Sequence, residues 1–269
     1  MATVQQTASV MTAAVPQVRK LTLVDLAHAL SEGFADFKVK PMTHLPIIAL
    51  IYPLATAFGF LFVFNYDALP LAFPIVSGSL LVGPLVTVAL YEMSRRIERG
   101  DDISGLQAFN FFRSRALPEI ALLGGFLVAL FFLWLATAMT LFSMTLGDPW
   151  QSLPSETATF SEFMRQLFMT ERGWTLIVAG NLIGLVFAVV ALSVAVVSFP
   201  MLLDRDVSLA TAMQTSARVV MANPVMMAIW GLIVVASMAL GALPALVGLC
   251  VVIPVLGHAS WHLYRKAVV

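Results

Sequence analysis

Six stretches of the chain are long and apolar enough to cross a lipid bilayer as α-helices. A spanning helix needs about 20 consecutive apolar residues, because every backbone N–H and C=O group must be hydrogen-bonded within the helix once water is excluded. The 269-residue chain is 60% hydrophobic and 11% charged, and soluble domains are about 25% charged. The sequence therefore predicts an all-α, polytopic membrane helical bundle of six transmembrane helices. The predicted spans are residues 45–64, 69–91, 117–146, 174–200, 224–240 and 242–261.

The distribution of lysine and arginine predicts the orientation, since these residues accumulate on the cytoplasmic side of membranes. With both termini in the cytoplasm, two of the 15 basic residues, Arg165 and Arg172, fall outside, which leaves 13 inside. One missing or additional span would reverse every later loop, so this asymmetry supports six crossings. The cytoplasmic set is Arg19, Lys20, Lys38, Lys40, Arg95, Arg96, Arg99, Arg113, Arg115, Arg205, Arg218, Arg265 and Lys266.

Three short amphipathic segments precede the odd-numbered spans. Each begins with a helix-start pattern and ends near a proline, and they cover residues 22–41, 104–118 and 208–224. We expect these segments to lie along the cytoplasmic interface as amphipathic helices. Pro84, Pro200 and Pro254 recur near the cytoplasmic halves of the even-numbered spans. The pattern predicts three hairpins in one bundle; the alternative is that such prolines are simply common in membrane proteins.

The remaining segments are a tail and a loop. Residues 1–20 contain no continuous apolar stretch, so we predict a disordered cytoplasmic tail, not a signal peptide, followed by a single transmembrane domain at 21–269. The outer loop holds a capping box at 159–162 and then apolar residues at helical spacing, which predicts a helix on the outer leaflet. Trp150 and Trp174 flank it as interfacial anchors.

A pair of histidines one helical turn apart, His258 and His262, suits two imidazoles on one metal ion or haem iron. His44 opens the first predicted span at the same membrane depth, and Glu92 or Asp36 could support a three-imidazole site. The alternative is structural: histidines near a helix C-terminus favour the helix dipole, and the neighbouring aromatic and basic residues mark the interface. On that interpretation no cofactor is bound.

Charged and aromatic residues at two span ends predict contacts with lipid headgroups or with a partner subunit. Carboxylates and guanidinium groups at spacings of three and four can also pair along a solvated helix end, which is the structural alternative. The predicted contact residues are Glu92, Arg95, Arg96, Arg99, Trp261, Tyr264 and Arg265.

Polar residues inside the spans are few. Asn181 is the only amide within a predicted span, and no ionisable group lies at mid-depth, which weighs against a proton-coupled pump. Gly180 and Gly184 form a GxxxG pattern, which allows close helix packing within the bundle. The sequence holds no GxxxxGK[ST], CxxC, HExxH or GxSxG motif, so we predict no catalytic residues. The single cysteine excludes an internal disulfide, and the formal net charge of zero argues against a nucleic-acid partner.

Two long motifs, at residues 71–100 and 254–265, resemble the bacterial integral membrane family called domain of unknown function 2189. The resemblance covers nearly everything after Leu23 and implies a polytopic inner-membrane protein with no established activity. Members of that family are sometimes labelled cytochrome c oxidase subunit I. A haem-copper core would need about six histidine ligands across about twelve spans, but this chain has four histidines, so it is not that catalytic subunit.

Three functional hypotheses follow. The first is a non-catalytic accessory or assembly subunit of a respiratory or photosynthetic membrane complex, in contact with lipids and with other subunits. The second is a small transporter or lipid-handling protein, in which prolines break helices around a cavity. The third is a haem or metal protein that uses His44, His258 and His262.

Overall fold

The structure, a computed structural model, describes residues 16–39, 41–44, 69–101, 107–147, 160–244 and 246–269. Within these ranges the regular secondary structure is helical, apart from one isolated antiparallel bridge, which confirms the all-α prediction. The α-helices are α1 (Leu23–Val39), α2 (Leu69–Ser79), α3 (Gly83–Val86), α4 (Val88–Arg99), α5 (Leu117–Thr145), α6 (Phe160–Met169), α7 (Glu171–Ala195), α8 (Ser198–Asp204), α9 (Leu209–Ala222), α10 (Pro224–Ala242) and α11 (Leu249–Ala267). Short 3-10 helices occupy Pro41–His44, Leu80–Val82 and Gln107–Arg113.

Four helical stretches are long and apolar enough to cross a membrane, and they coincide with four of the six predicted spans. These stretches are Ala72–Arg99, Leu117–Thr145, Glu171–Asp204 and Pro224–Ala242. The first predicted span, 45–64, lies outside the described residues. The sixth predicted span overlaps α11. This helix is not among the four apolar stretches, because its second half carries the polar residues His258, His262, Arg265 and Lys266. The chain is thus an integral membrane protein with several apolar helices, and the count of six stays a prediction.

Two of the spanning stretches are interrupted one turn before a proline. A proline ring clashes with the carbonyl group four residues earlier and cannot donate a hydrogen bond to it. The residue four positions before Pro84 is Leu80, where a 3-10 segment begins, and the one four positions before Pro200 is Val196, which directly follows the last residue of α7. Pro254 lies inside α11 without a break, and the residue four positions earlier belongs to the first turn of that helix.

Trp134 of α5 lies where the helices of three spans meet. Its Nε1 donates a hydrogen bond to the Pro74 carbonyl oxygen over 2.9 Å, and its side chain is buried. A Cβ at Gly78 would lie 2.7 Å from the indole ring, and one at Gly184 would lie 3.2 Å from it. Gly180 faces Leu141 of α5 in the same way. The GxxxG pattern therefore packs within the chain, as the sequence predicts.

Two of the three predicted amphipathic segments form α-helices. The Thr22 N–H donates to Asp25 Oδ2 over 2.8 Å and the Asp25 N–H donates to Thr22 Oγ1 over 3.2 Å, a reciprocal cap at the start of α1. Ser208 caps α9 by accepting from a backbone N–H. The second segment differs from the prediction, because Gln107–Arg113 is a 3-10 helix and its predicted cap lies outside the described residues.

Helix α1 packs antiparallel to α11 and so meets protein along the face that the sequence predicts to meet lipid. A Cβ on Gly33 would lie 2.5 Å from the backbone nitrogen of Ala259, so the two helices touch backbone to backbone. The Arg19 N–H donates to the Ala267 carbonyl oxygen over 2.9 Å, which pairs the chain before α1 with the C-terminus. Residues 16–20, predicted as the end of a disordered tail, therefore have a defined place against α11.

The loop helix predicted on the outer leaflet forms as α6. The Trp174 Nε1 donates to the Phe168 carbonyl oxygen over 3.0 Å, and Arg165 pairs with Glu162 over 2.7 Å. Trp174 thus links α6 to the start of α7.

Candidate functional site

Five polar side chains from four separate elements meet beside the contact between α1 and α11. They are Asp36 of α1, His44 of the first 3-10 helix, Ser94 of α4, and His258 and His262 of α11, and we call them the histidine network. The first four are buried, with relative exposures between 0% and 7%, and the His262 side chain is 12% exposed. The two α11 histidines share a face because they are one turn apart, and Gly33 allows that face to approach α1.

The histidine network is a continuous chain of hydrogen bonds. The His44 Nδ1 lies 3.1 Å from the Pro41 carbonyl oxygen, and its Nε2 lies 2.8 Å from His258 Nε2. The His258 Nδ1 lies 2.7 Å from Ser94 Oγ. The hydroxyl group of Ser94 lies 2.7 Å from Asp36 Oδ2, and that same oxygen lies 2.8 Å from His262 Nε2.

These contacts need one hydrogen more than the neutral groups supply. Each of the five contacts requires one hydrogen between its two heavy atoms. Three neutral imidazoles and one hydroxyl group provide four hydrogens, and an ionised carboxylate provides none. With three neutral imidazoles and an ionised Asp36, one of the five contacts therefore lacks a hydrogen. Since unpaired polar atoms are costly when buried, the other four contacts stabilise the packing of α1 against α4 and α11.

The outer end of the network meets charged residues. The His262 Nδ1 lies 3.8 Å from Glu32 and 3.9 Å from Glu98. Glu32 pairs with Lys266 over 2.9 Å, and Glu98 lies 3.4 Å from Arg265. The carboxylates of α1 and α4 thus surround the one histidine of the network that approaches the surface.

The structure brings the sequence-predicted histidines together, but not around one point. His44 and His258 contact each other directly, whereas His262 contacts Asp36. Asp36, predicted as a supporting residue, is a central acceptor. Among the residues that the structure describes, no group of three or more His, Cys, Asp or Glu side chains is arranged to hold a metal ion. Metal or haem binding stays a prediction.

Ser94 is the network residue that sequence reasoning missed. It lies between Glu92 and Arg95 in a stretch where charge dominates, and a single serine on a helix carries no pattern of its own. Its position becomes visible only when α4 is placed against α1 and α11, because its hydroxyl group bridges one residue from each.

Glu92, the other predicted supporting residue, takes part in a separate cluster. Its carboxylate is 2% exposed and pairs with Arg95 over 2.5 Å and with Arg96 over 2.9 Å. The Arg95 guanidinium group also donates to the Leu203 carbonyl oxygen over 2.6 Å, which ties α4 to α8. Glu92 therefore pairs with two partly buried arginine side chains, and its hydrogen bonds go to these arginines and not to the histidines.

Trp261 and Tyr264, predicted to contact lipid or a partner, lie in the core of the chain with 0% exposure. The Tyr264 hydroxyl group donates to Asp204 over 2.7 Å and accepts from Arg205 Nε over 3.0 Å. Burial, followed by the hydrogen bond to Asp204, raises the pKa of Tyr264 above its usual value, so the hydroxyl group stays a donor at physiological pH. Of the predicted contact residues, Arg99 and Arg265 are exposed.

The basic ends of several helices lie together at one end of the bundle. Arg95 reaches α8, Arg205 reaches Tyr264, and Lys20 donates to the carbonyl oxygen of Ala222. Arg172 begins α7 at the opposite end of that helix. The structure thus separates the two sets of basic residues along the spanning helices.

Four apolar spanning helices with a polar network at one end define a polytopic α-helical membrane protein. A family model described as "Predicted integral membrane protein (DUF2189)" matches residues 72–204. Over these residues the chain matches that family, which confirms the resemblance of the motif at 71–100, while the motif at 254–265 lies outside the match. The match includes three of the four candidate spans and Ser94, and the network histidines lie outside it. Comparison with curated proteins and with solved structures gives no match.

Proposed function

We propose that this chain is a non-catalytic accessory or assembly subunit of a respiratory or photosynthetic complex in the bacterial inner membrane. The observation that supports this function is that the buried polar groups of the histidine network are hydrogen-bonded to one another. They attach α1 and the C-terminal helix to α4. A polar group whose hydrogen bonds are already made within the protein stabilises the fold and is not available to bind a substrate.

The exposed surfaces of the spanning helices support a role in assembly. Only 17% of the apolar stretch of α10 is buried within the chain, and the other three stretches are buried by 28% to 33%. Gly125 on the exposed face of α5 has open space around the position of a Cβ. A glycine at such a position allows the backbone of a neighbouring helix to approach closely.

Co-purification from native membranes in mild detergent tests this function. We expect a second protein to accompany the chain at constant stoichiometry. Gly125→Leu introduces bulk without touching the chain itself, so a partner on α5 is expected to be lost, whereas Gly125→Ala keeps it. A chain that runs alone in every mild detergent, with both variants indistinguishable from the native sequence, contradicts the proposal.

We further propose six spans in three hairpins, with both termini in the cytoplasm. The clustering of basic residues at one end of the bundle supports this arrangement. We expect a fluorescent reporter fused after Val269 to be active in the cytosol, and a periplasmic phosphatase fused there to be inactive. A phosphatase fused in the turn that follows α10, at the opposite end of that helix, is the matched control and is expected to be active. The reverse pattern excludes the proposed orientation.

A small transporter or lipid-handling protein is the alternative, and a groove between α5 and α7 favours it. The groove has a volume of about 340 Å³ and opens on the membrane face of the bundle. It is lined by Ala136, Thr137, Thr140, Leu141, Met144 and Ile183. The two threonine hydroxyl groups donate to their own helix backbone, which leaves an apolar surface that suits an acyl chain better than a polar solute.

A further inference from the structure

Asn181 places an amide group at the middle of a spanning helix, on its exposed side. The span Glu171–Asp204 begins with charged residues, and Asn181 lies ten residues further on. At about 1.5 Å per residue this is about 15 Å, which is half of a hydrocarbon layer of about 30 Å. The side chain is exposed in the chain as a monomer. A polar amide at this depth would therefore face lipid.

The amide of Asn181 is only partly hydrogen-bonded. Its Nδ2 donates to the Ile177 carbonyl oxygen of the preceding turn over 2.7 Å. The second N–H and the Oδ1 have no hydrogen-bond partner within the ranges described above. In lipid no water replaces such a partner, so these two groups favour association with another polar group in the membrane.

The residues around Asn181 form a seam at coiled-coil spacing. Val178, Asn181, Leu185 and Ala188 follow one another at steps of three, four and three, and all four are exposed. Such spacing keeps one face of a helix against a parallel neighbour, with the amide at a core position. Gly180 and Gly184, which lie about 100° around the helix from the middle of the seam, pack against α5. No residue that the structure describes covers these four side chains, so the seam is open to a helix from outside the chain.

We propose that a second copy of this chain covers the seam, in a homodimer whose two Asn181 amides pair across a twofold axis normal to the membrane. An amide is complementary to itself, because each partner offers one N–H donor and one carbonyl acceptor. A second copy inserted in the same orientation presents that group at the same depth. Twofold symmetry then forms two hydrogen bonds from one residue type. This dimer does not depend on the accessory function proposed above.

Disulfide cross-linking in native membranes tests the dimer. The natural cysteine is first removed by Cys250→Ser, and a single cysteine is then introduced either by Leu185→Cys on the seam or by Val186→Cys beside it. The two native side chains are almost equally exposed, at 60% and 61%, but they point about 100° apart around the helix. We expect a cross-linked dimer from Leu185→Cys and little from Val186→Cys.

Asn181→Leu tests the role of the amide. Leucine suits a lipid-facing position, so this variant is expected to fold and to insert normally, while dimerisation in lipid weakens about 3- to 30-fold. Counting subunits by single-molecule photobleaching at several protein-to-lipid ratios measures the change. Equal cross-linking at positions 185 and 186, a monomer at every ratio, or no effect of Asn181→Leu overturns the proposal. Cross-linking of position 185 only to a different protein also overturns it, and would leave the accessory function standing.

Discussion

Gly33→Val is expected to separate α1 from α11 and to destabilise the protein by about 3 kcal/mol or more. The native glycine has no side chain, and the added Cβ would lie 2.5 Å from the Ala259 nitrogen and 2.7 Å from its Cα. Because these are backbone atoms in the middle of α11, no side-chain rotation relieves the overlap. The helices must move apart, which also pulls Asp36 away from Ser94 and His262.

Two measurements check this result against a matched control. Thermal unfolding in detergent gives the loss of stability, and trypsin cleavage near Lys38 reports whether α1 has detached. Gly231→Val is the control, since Gly231 is also within a helix but has no other atom within 4 Å of the position of a Cβ. Equal loss of stability in the two variants would show that the helix propensity of valine, and not the contact with Ala259, causes the effect.

The spanning helices could be predicted from the sequence, because crossing a bilayer depends on length and apolarity alone. The packing of α1 against α11 could not be predicted from the sequence. Its apolar residues recur at helical spacing, and that pattern is the same whether the face meets lipid or another helix. The close contact between Gly33 and Ala259 is what places α1 against α11. These two residues are far apart in the chain, and the periodicity of a single sequence does not show which distant residues are in contact.

The histidine network was partly predictable for a similar reason. The spacing of His258 and His262 places both on one face of a helix, and the position of His44 before a span places it at the same depth. The hydrogen bonds of the network also depend on a side chain of α4 that lies between α1 and α11. Ser94 supplies that side chain, and its hydroxyl group connects His258 to Asp36.

Asp36→Ala is expected to destabilise the protein by about 2–4 kcal/mol, because it removes the acceptor shared by Ser94 and His262 while the buried groups around it remain. Asp36→Asn is expected to cost less than about 1 kcal/mol. An amide donates hydrogen bonds where an ionised carboxylate cannot, so it supplies the fifth hydrogen that the network requires. Unfolding in mixed micelles measures both, with Asp206→Ala as the control at an exposed aspartate.

Equal losses of stability in Asp36→Ala and Asp36→Asn would contradict this role of the Asp36 side chain as a hydrogen-bonding partner of Ser94 and His262.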